Sequence, residues 1–224
     1  MNEVLVYRPS GRFDATHCPA HEQAIRALLA LRICDPTCGV GYFLLEAGSL
    51  LARKICELAP ILSYEEVLAQ VATQCLYGVD LNPVASELCR LNLYLNTQAA
   101  PNQLKRHLLA GDALLGTVRR ESKSENSQKP GLFHWHQAFP EVMAEGFDIL
   151  VGNPPFLNQL ENTTVLGREH TRMLKQLFPG LVGAYTDTSS LVLARATEIL
   201  RDGGRLAMIQ PQSLLSAKDS TAIR

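Results

Sequence analysis

The sequence predicts an α/β fold in which helices cover both faces of a doubly wound parallel sheet. Short apolar segments alternate along the chain with longer segments whose apolar residues recur at helical spacing. Acidic residues or glycines stand at the ends of four of the apolar segments. Both observations are typical of strands that run parallel and are connected by helices.

Five strands are predicted, over residues 31–35, Leu76–Asp80, 107–110, 147–151 and 205–209. Helices are predicted between them over Tyr42–Leu58, Tyr64–Gln74, Pro83–Thr97 and residues 187–201. Ser63 and Glu66 have the spacing of a capping box for the second helix, and Asn82 with Pro83 is typical of a helix start. Residues 119–129 contain no apolar side chain and are expected to form a solvated loop.

The composition predicts one large domain with a full hydrophobic core. The chain has 224 residues and a mass of 24.6 kDa, with 46% hydrophobic and 19% charged residues. Its mean hydropathy is +0.01, and no apolar run approaches the roughly 18 residues that span a bilayer. The N-terminus lacks the basic and apolar regions of a secretory signal. We therefore expect a soluble, cytoplasmic protein.

The charge balance argues against a protein that holds nucleic acid unaided. The net charge is −1, from 21 basic and 22 acidic residues. Such proteins usually carry a marked positive excess, because phosphate neutralisation supplies most of the non-specific affinity. If this chain acts on nucleic acid, another domain or partner must supply much of the affinity.

The cysteines and histidines predict neither a disulfide scaffold nor a metal site. The six cysteines stand singly at positions 18, 34, 38, 56, 75 and 89, without a C-x-x-C pair. One helical turn could bring His17, Cys18 and His21 together, but no second ligand pair follows them, so a loop that enters a helix is favoured. His134 and His136 are interpreted as alternate residues of an extended segment.

The first motif that predicts a ligand is DPTCGVG at residues 35–41. Two glycines after a strand let the backbone approach a ligand closely and lead into a helix whose N-terminus is partly positive. A dinucleotide-binding loop would have a third glycine where Leu44 stands, and an acid about 20 residues further on. The next strand-end acid, Asp80, comes much later, so binding of NAD is disfavoured.

Two further acids follow predicted strands. The carboxylate of Asp80 can accept both hydroxyls of a ribose, although such an acid is about as often only a helix cap. Asp112 could accept a hydrogen bond from an exocyclic amine. Ligands of doubly wound sheets bind outside the carboxyl ends of the strands, so Asp35, Asp80, Asp112 and Asn153 are expected to line one crevice.

The motif NPPF at residues 153–156 predicts a site for a planar amino group. Consecutive prolines after a buried strand fix the backbone and leave carbonyl groups without competing local amides. The side-chain oxygen of Asn153 and the carbonyl of Pro154 could then accept both hydrogens of one amine. This favours a pyramidal nitrogen and its attack on an electrophilic methyl group. Phe156 offers a face on which a ring can stack.

Together, DPTCGVGYF, GVDLNP, GD and NPPF resemble the S-adenosylmethionine-dependent DNA adenine-N6 methyltransferases of restriction–modification systems. Residues 135–142 and 186–215 are similar to type IIG and related large methyltransferases. The resemblance implies a Rossmann-like methyltransferase sheet of which five of the family's seven strands are present. It also implies S-adenosylmethionine as the cofactor and double-stranded DNA as the partner.

The resemblance assigns roles to the motif residues. Residues 35–43 would hold the methionine end of the cofactor, Asp80 its ribose and Asp112 its adenine. The implied cofactor-binding residues are Asp35, Pro36, Cys38, Gly39, Gly41, Asp80, Leu81, Asp112 and Ala113. An adenine flipped out of the duplex would lie in the implied catalytic loop of Asn153, Pro154, Pro155 and Phe156.

Two features depart from the family. Its members usually have a Thr-Pro segment that contacts the cofactor carboxylate, whereas residues 11–19 read GRFDATHCP, with Phe13 and Thr16 as candidates. Two of the seven strands are also missing before Arg224. We therefore expect a lead-in segment over residues 1–30 and a C-terminally incomplete catalytic domain over 31–224. A missing target-recognition domain or specificity subunit is expected to be needed for site-specific methylation.

Two alternatives stay open. Methyltransferases for a protein glutamine or for a guanine of ribosomal RNA share the Asn-Pro-Pro-aromatic motif, more often with Tyr, so Phe156 and residues 135–142 favour DNA. The second alternative is a non-catalytic remnant that binds only the cofactor or a partner.

A short basic stretch follows the catalytic loop. It contains Arg168, His170, Arg172 and Lys175. A solvated helix face and a surface that contacts DNA phosphates are equally compatible with it.

Overall fold

The computed structural model describes residues 5–7, 13–15, 19–118, 132–157, 159–183, 186–212 and 214, with the backbone alone for 5–7, 13–15 and 159–166. A short antiparallel pair, β1 (Leu5–Tyr7) and β2 (Phe13–Ala15), lies near the N-terminus. The central sheet has five strands: β3 (Ile33–Asp35), β4 (Leu76–Asp80), β5 (Leu108–Ala110), β6 (Phe147–Gly152) and β7 (Leu200–Met208). All five run parallel in the order β5-β4-β3-β6-β7, which confirms the predicted doubly wound α/β fold.

Eight helices are described. They are α1 (Pro19–Leu29), α2 (Tyr42–Leu58), α3 (Tyr64–Gln74), α4 (Pro83–Thr97), α5 (Pro101–His107), α6 (Trp135–Ala138), α7 (Gln159–Leu177) and α8 (Thr188–Ile199). Helix α7 is broken at Gly167, whose φ is 87°. None of the described helices is long and apolar enough to cross a membrane.

The strands bury side chains on both faces of the sheet, as expected when helices cover both. On one face Ile33, Leu76 and Leu108 pack with residues of α1, α2, α3 and α4. On the other face Cys34, Tyr77 and Leu150 pack with α6 and α8, where Trp135 and Phe147 meet edge to face. Neighbouring residues of one strand therefore belong to different layers of the core.

Several predicted boundaries are confirmed to the residue: those of α2, α3, α4 and β4. Each of these helices begins at a local signal. The hydroxyl of Ser63 accepts from the Glu66 amide at the start of α3, and the side chain of Asn82 accepts from the Val84 amide at the start of α4.

Other boundaries were wrong. Strand β3 begins at Ile33 rather than at residue 31. His107 closes α5, a helix that was not predicted, because the Leu108 amide still donates to the Leu104 carbonyl. Helix α8 ends at Ile199 rather than at residue 201, and β7 begins at Leu200 rather than at residue 205. Leu200 pairs with Phe147, and after an irregularity in the register the pairing continues with Ile149 and Arg205.

The segment around the two histidines is also not extended. His134 is the N-cap of helix α6, and its carbonyl accepts from the Ala138 amide at 2.9 Å. Thr16, His17, Cys18 and the predicted loop 119–129 lie outside the described residues. His21 is described, and its Nδ1 lies 3.1 Å from the Leu58 carbonyl.

Candidate active site

The order of the strands places a topological switch point at the paired strands β3 and β6. From β3 the chain builds the sheet outward through β4 and β5, then returns to add β6 and β7 on the other side. Ligands of doubly wound sheets bind at such a switch point, outside the carboxyl ends of the strands. Asp35 ends β3 here, and Asn153 directly follows β6.

The predicted site residues lie close together at this edge. The Gly39 amide donates to Oδ2 of Asp80 at 2.8 Å, and the Gly111 amide donates to the Asp80 carbonyl at 2.8 Å. A Cβ at Gly152 would lie 2.7 Å from Oδ1 of Asp35. These contacts connect the ends of four neighbouring strands, as the sequence predicted.

The loop of residues 36–41 is held from two sides. The Cys38 amide donates to the Val79 carbonyl at 2.9 Å, and the Asn92 side chain donates to the Val40 carbonyl at 2.9 Å. Gly41 adopts a φ of 86° and starts α2, where a Cβ would lie 2.6 Å from Sγ of Cys89. A side chain at position 41 would therefore be strained and would collide with α4.

The loop is open at Gly39. A Cβ built at Gly39 meets no described atom within 4 Å, whereas Pro36 and Cys38 are buried. Contact with the Cys89 thiol, together with burial, holds the pKa of the Cys38 thiol well above its usual range. Cys38 is therefore a neutral thiol at physiological pH and does not compete as a nucleophile.

Asp35 is the most deeply buried acid of the site, with 1% of its surface exposed. It accepts hydrogen bonds from the Thr37 amide at 2.9 Å and from the Thr37 hydroxyl at 3.4 Å. Burial, with a smaller contribution from the charge of Asp80, raises the pKa of Asp35 from its ordinary 3.8 to about 7. The two Thr37 bonds act in the opposite direction but are outweighed.

We expect this pKa to be measurable as a pH-dependent difference in stability. The folded protein binds the Asp35 proton more tightly than the unfolded chain. The resulting stabilisation is complete below about pH 4 and is lost as the pH rises to 7, by about 4 kcal/mol in total. The Asp35→Asn variant lacks this titration. Its free energy of unfolding should match wild type at pH 4 and exceed it by a few kcal/mol at pH 8.

Urea unfolding of both proteins between pH 4 and pH 8 tests this expectation. Asp202→Asn is the matched control, because Asp202 is exposed on β7 and should give a small difference at every pH. A difference between Asp35→Asn and wild type that does not change with pH would contradict the buried, protonated carboxyl.

Asp80 has two backbone partners. Its Oδ1 accepts from the Asn82 amide and its Oδ2 from the Gly39 amide, both at 2.8 Å. The carboxylate thus fixes the loop 36–41 and the start of α4. Each oxygen keeps a further lone pair for a ligand hydroxyl. The adjacent side chain of Leu81 is 53% exposed and offers an apolar surface beside the acid.

Asp112 has internal partners on both carboxylate oxygens. Oδ1 accepts from the Leu114 amide at 2.9 Å, and Oδ2 lies 2.7 Å from Nε2 of His170 on α7. The next residue, Ala113, is buried, and its carbonyl accepts from the Trp135 indole at 3.1 Å.

Two residues that the sequence analysis did not assign to the site support the loop of residues 112–117. Arg195 of α8 is 4% exposed and donates to the Leu114 carbonyl at 2.7 Å, while it pairs with Glu198. His134 accepts from the Thr117 amide at 3.1 Å. The only sequence signal for Arg195 is a cation within the apolar run 191–196.

The NPPF loop is anchored at both ends. The Ile209 amide donates to the Gly152 carbonyl at 3.0 Å, and both the amide and the hydroxyl of Thr188 donate to the Leu157 carbonyl, at 2.8 and 2.9 Å. Between these anchors Pro154 is buried, whereas Asn153 and Pro155 are exposed and Phe156 is 46% exposed. The backbone is held while the polar and aromatic side chains face outward.

The basic stretch does not form one uniform surface. Arg168, Arg172 and Lys175 are exposed, and Arg172 pairs with Glu169 at 2.6 Å. His170 instead turns inward to Asp112. A solvated face therefore accounts for part of the stretch, and His170 belongs to the site.

The fold is a doubly wound parallel α/β sheet, and an exposed Asn-Pro-Pro-Phe loop follows β6 beside its switch point. Residues 74–224 match the Eco57I restriction-modification methylase family. The chain belongs to this adenine-specific DNA methylase family of restriction–modification systems.

Several proteins of known sequence or structure are similar to this chain. The adenine-specific methyltransferase PglX of Streptomyces coelicolor is 27% identical over 176 residues, which cover 69% of this chain and 14% of that protein. The type ISP restriction-modification enzyme LlaGI, solved with a DNA substrate mimic, shares the fold with a TM-score of 0.55 at 14% identity, over 85% of this chain and 16% of its own. The type IIL enzyme MmeI, solved with DNA, gives 0.53 at 17% identity, over 80% and 24%.

The modification protein of the type I enzyme EcoKI is similar at a TM-score of 0.50 and 17% identity, over 92% of this chain and 36% of its own. This chain therefore spans a minor part of each of these relatives.

Proposed function

We propose that this chain is the catalytic part of an enzyme that transfers a methyl group from S-adenosylmethionine to N6 of adenine in DNA, within a restriction–modification or related defence system. The observation that carries the proposal is the close approach of Gly152 to Asp35. It sets the NPPF loop directly against the loop that begins at Asp35. A methyl donor and a planar amine held in these two loops would meet at the switch point.

The loop of residues 36–41, here called the donor loop, has the features that a sulfonium cofactor needs. The cofactor supplies an electrophilic methyl group when it is bound. The open backbone at Gly39, between Pro36, Cys38 and Gly41, suits its methionine end. The free lone pairs of Asp80 suit the two ribose hydroxyls, and Leu81 and Ala113 offer apolar contacts to the adenine next to Asp112.

The NPPF loop of residues 153–156, here called the acceptor loop, has the features that an amine nucleophile needs. The side-chain oxygen of Asn153 and the Pro154 carbonyl accept the two N6 hydrogens and keep the nitrogen lone pair directed at the methyl group. The bound cofactor would supply the methyl group and leave as S-adenosylhomocysteine, and the amine, held by Asn153 and Pro154, would release one N6 proton to water. Pro155 carries no amide that could compete for these acceptors, and Phe156 stacks on the flipped base.

Affinity for DNA must come largely from elsewhere. The net charge of −1 gives little general attraction for phosphates. Arg168 and Lys175 are exposed on α7, the helix that follows the NPPF loop along the chain, and can add contacts to phosphates. We propose that a target-recognition domain or a specificity subunit supplies the remaining contacts and the sequence preference.

Sequencing of host DNA for modified bases tests the proposal. We expect disruption of the gene to remove N6-methyladenine from one recurring DNA sequence. A gene copy with Asn153→Ala should not restore it, whereas Asn102→Ala, at an exposed asparagine of α5, should. Methylated protein glutamine or ribosomal RNA guanine that disappears instead would favour the alternative substrates. Unchanged methylation of all three would indicate a non-catalytic remnant.

A further inference from the structure

Helix α4 has an apolar face that points away from the sheet. The side chains that it buries are Ser86, Cys89, Leu93 and Thr97. On the opposite face lie four apolar residues, here called the outer stripe: Val84, Leu88, Leu91 and Leu95. Between 46% and 61% of each of these four residues is exposed. A helix at the surface of a globular protein normally presents polar side chains there, so the outer stripe suits a covered face.

The spacing of the outer stripe is that of a seam between packed helices. Its members follow one another at intervals of four, three and four residues. This heptad pattern aligns side chains along one line that faces a partner helix. The stripe exposes roughly 400 Å² of apolar surface, which is in the range of the largest patch on a typical monomer. Single exposed apolar residues are ordinary, whereas a contiguous patch of this size marks an interaction surface.

The charges of α4 exclude some classes of partner. Glu87 and Arg90 are the charged residues of this helix, and they pair with each other at 2.6 Å. The Arg90 side chain is only 17% exposed and also donates to the Leu108 carbonyl at 3.2 Å, so it is directed towards the sheet. The stripe therefore offers no cation to nucleic acid. It fits an apolar helix with few charges of its own.

The outer stripe is complementary to itself when two copies pack antiparallel. About a twofold axis between residues 89 and 90, Leu88 of one copy faces Leu91 of the other, and Val84 faces Leu95. Tyr94 stands one heptad after Glu87 and lies on the same flank of the stripe. In the antiparallel pair its hydroxyl faces the Glu87 carboxylate of the second copy and can donate to it. Both the apolar and the polar contacts are then made twice.

We propose that the outer stripe of α4 is the contact surface of a symmetric dimer of this chain, in which two α4 helices pack antiparallel. The occupant is a second copy because the stripe supplies its own apolar partners and a matching donor and acceptor on its flank. Its area is smaller than the about 800 Å² per partner of a standard interface, so the association is reversible.

Sedimentation velocity of the full chain at about 1–200 µM measures this association. Wild type is expected to change from monomer to dimer as the concentration rises. Leu91→Asp places a carboxylate in each half of the apolar contact and should raise the dimer dissociation constant at least about 100-fold. Leu50→Asp is the matched control and should dimerise like wild type, because Leu50 is 56% exposed on α2, outside the stripe. If Leu91→Asp does not fold by circular dichroism, Leu91→Gln removes the apolar contact without adding a charge.

Cysteine substitutions test the orientation of the two helices. Val84→Cys and Leu95→Cys are prepared separately, and under mild oxidation their mixture should form a covalent dimer. Val84→Cys alone should not, because the two copies of position 84 would lie about 16 Å apart, beyond the reach of a disulfide. Wild type oxidised in parallel controls for the native cysteines.

Several results would overturn the proposal. These are a monomer at every concentration, a dimer that Leu91→Asp leaves intact, and equal weakening by Leu50→Asp. Cross-linking of Val84→Cys alone would indicate parallel helices and would overturn the antiparallel dimer. None of these measurements uses a cofactor or DNA. Their failure would therefore leave the proposed methyl transfer standing, and an absence of methylation would leave the dimer standing.

Discussion

Replacing Asn153 with alanine is expected to lower the rate of methyl transfer by about 10²–10³-fold while cofactor affinity changes less than about twofold. The amide oxygen is proposed to act on the amine as its nitrogen becomes pyramidal, so its contribution belongs to the transition state. Because Asn153 is exposed and its loop is anchored through Gly152 and Leu157, the substitution should leave the backbone intact. Single-turnover kinetics and calorimetry with S-adenosylmethionine measure the two quantities.

Matched variants sharpen this test. Phe156→Ala should reduce the rate less than Asn153→Ala, because it removes stacking alone, and Phe156→Tyr should largely preserve it. Asn102→Ala should behave like wild type. If Asn153→Ala lost cofactor binding and turnover to the same extent, the proposed division between donor loop and acceptor loop would be wrong.

Replacing Asp80 with alanine is expected to weaken cofactor binding by at least about ten- to a hundredfold. Loss of a carboxylate that accepts a charge-assisted hydrogen bond typically costs about 1.5–3 kcal/mol, which corresponds to that range. The structure gives a second reason for weaker binding. The amides of Gly39 and Asn82 would lose their hydrogen-bond acceptor, so the donor loop would no longer be bonded to the end of β4. Asp80→Asn keeps one side-chain oxygen and should lose less.

Calorimetric titration with S-adenosylmethionine distinguishes these variants. Asp202→Ala removes an exposed carboxylate from β7, far along the chain from the donor loop, and should leave the affinity unchanged. Unaltered binding in Asp80→Ala would refute the role of this acid in holding the ribose. An equal loss in the Asn and Ala variants would assign the effect to charge rather than to loop support.

Elements with strong local signals could be predicted from the sequence. Helices α2 and α4 begin where Gly41 and Asn82 provide, respectively, a left-handed backbone and a side-chain cap, and β4 is a continuous apolar run that ends in an acid. Helix α5 was missed because PNQLKRH has a single apolar residue, Leu104, and therefore no helical periodicity to detect. Its helix is stabilised by burial of that residue and by packing on α4.

The sequence by itself determined the fold class, the four strand ends that meet near the switch point and the order of the motifs that are proposed to bind ligands. These depend on periodicity and on residues a few positions apart, which are visible in a linear chain. Only the tertiary structure decided which side chains contact the loop at Asp112. His170 lies against the Asp112 carboxylate, and Arg195 donates to the Leu114 carbonyl. Those partners lie 58 and 81 residues from the groups they contact, and no local pattern of the sequence indicates these contacts. Their contacts exist because parallel strands and their helices bring distant segments to one edge of the sheet, where burial strengthens each polar contact.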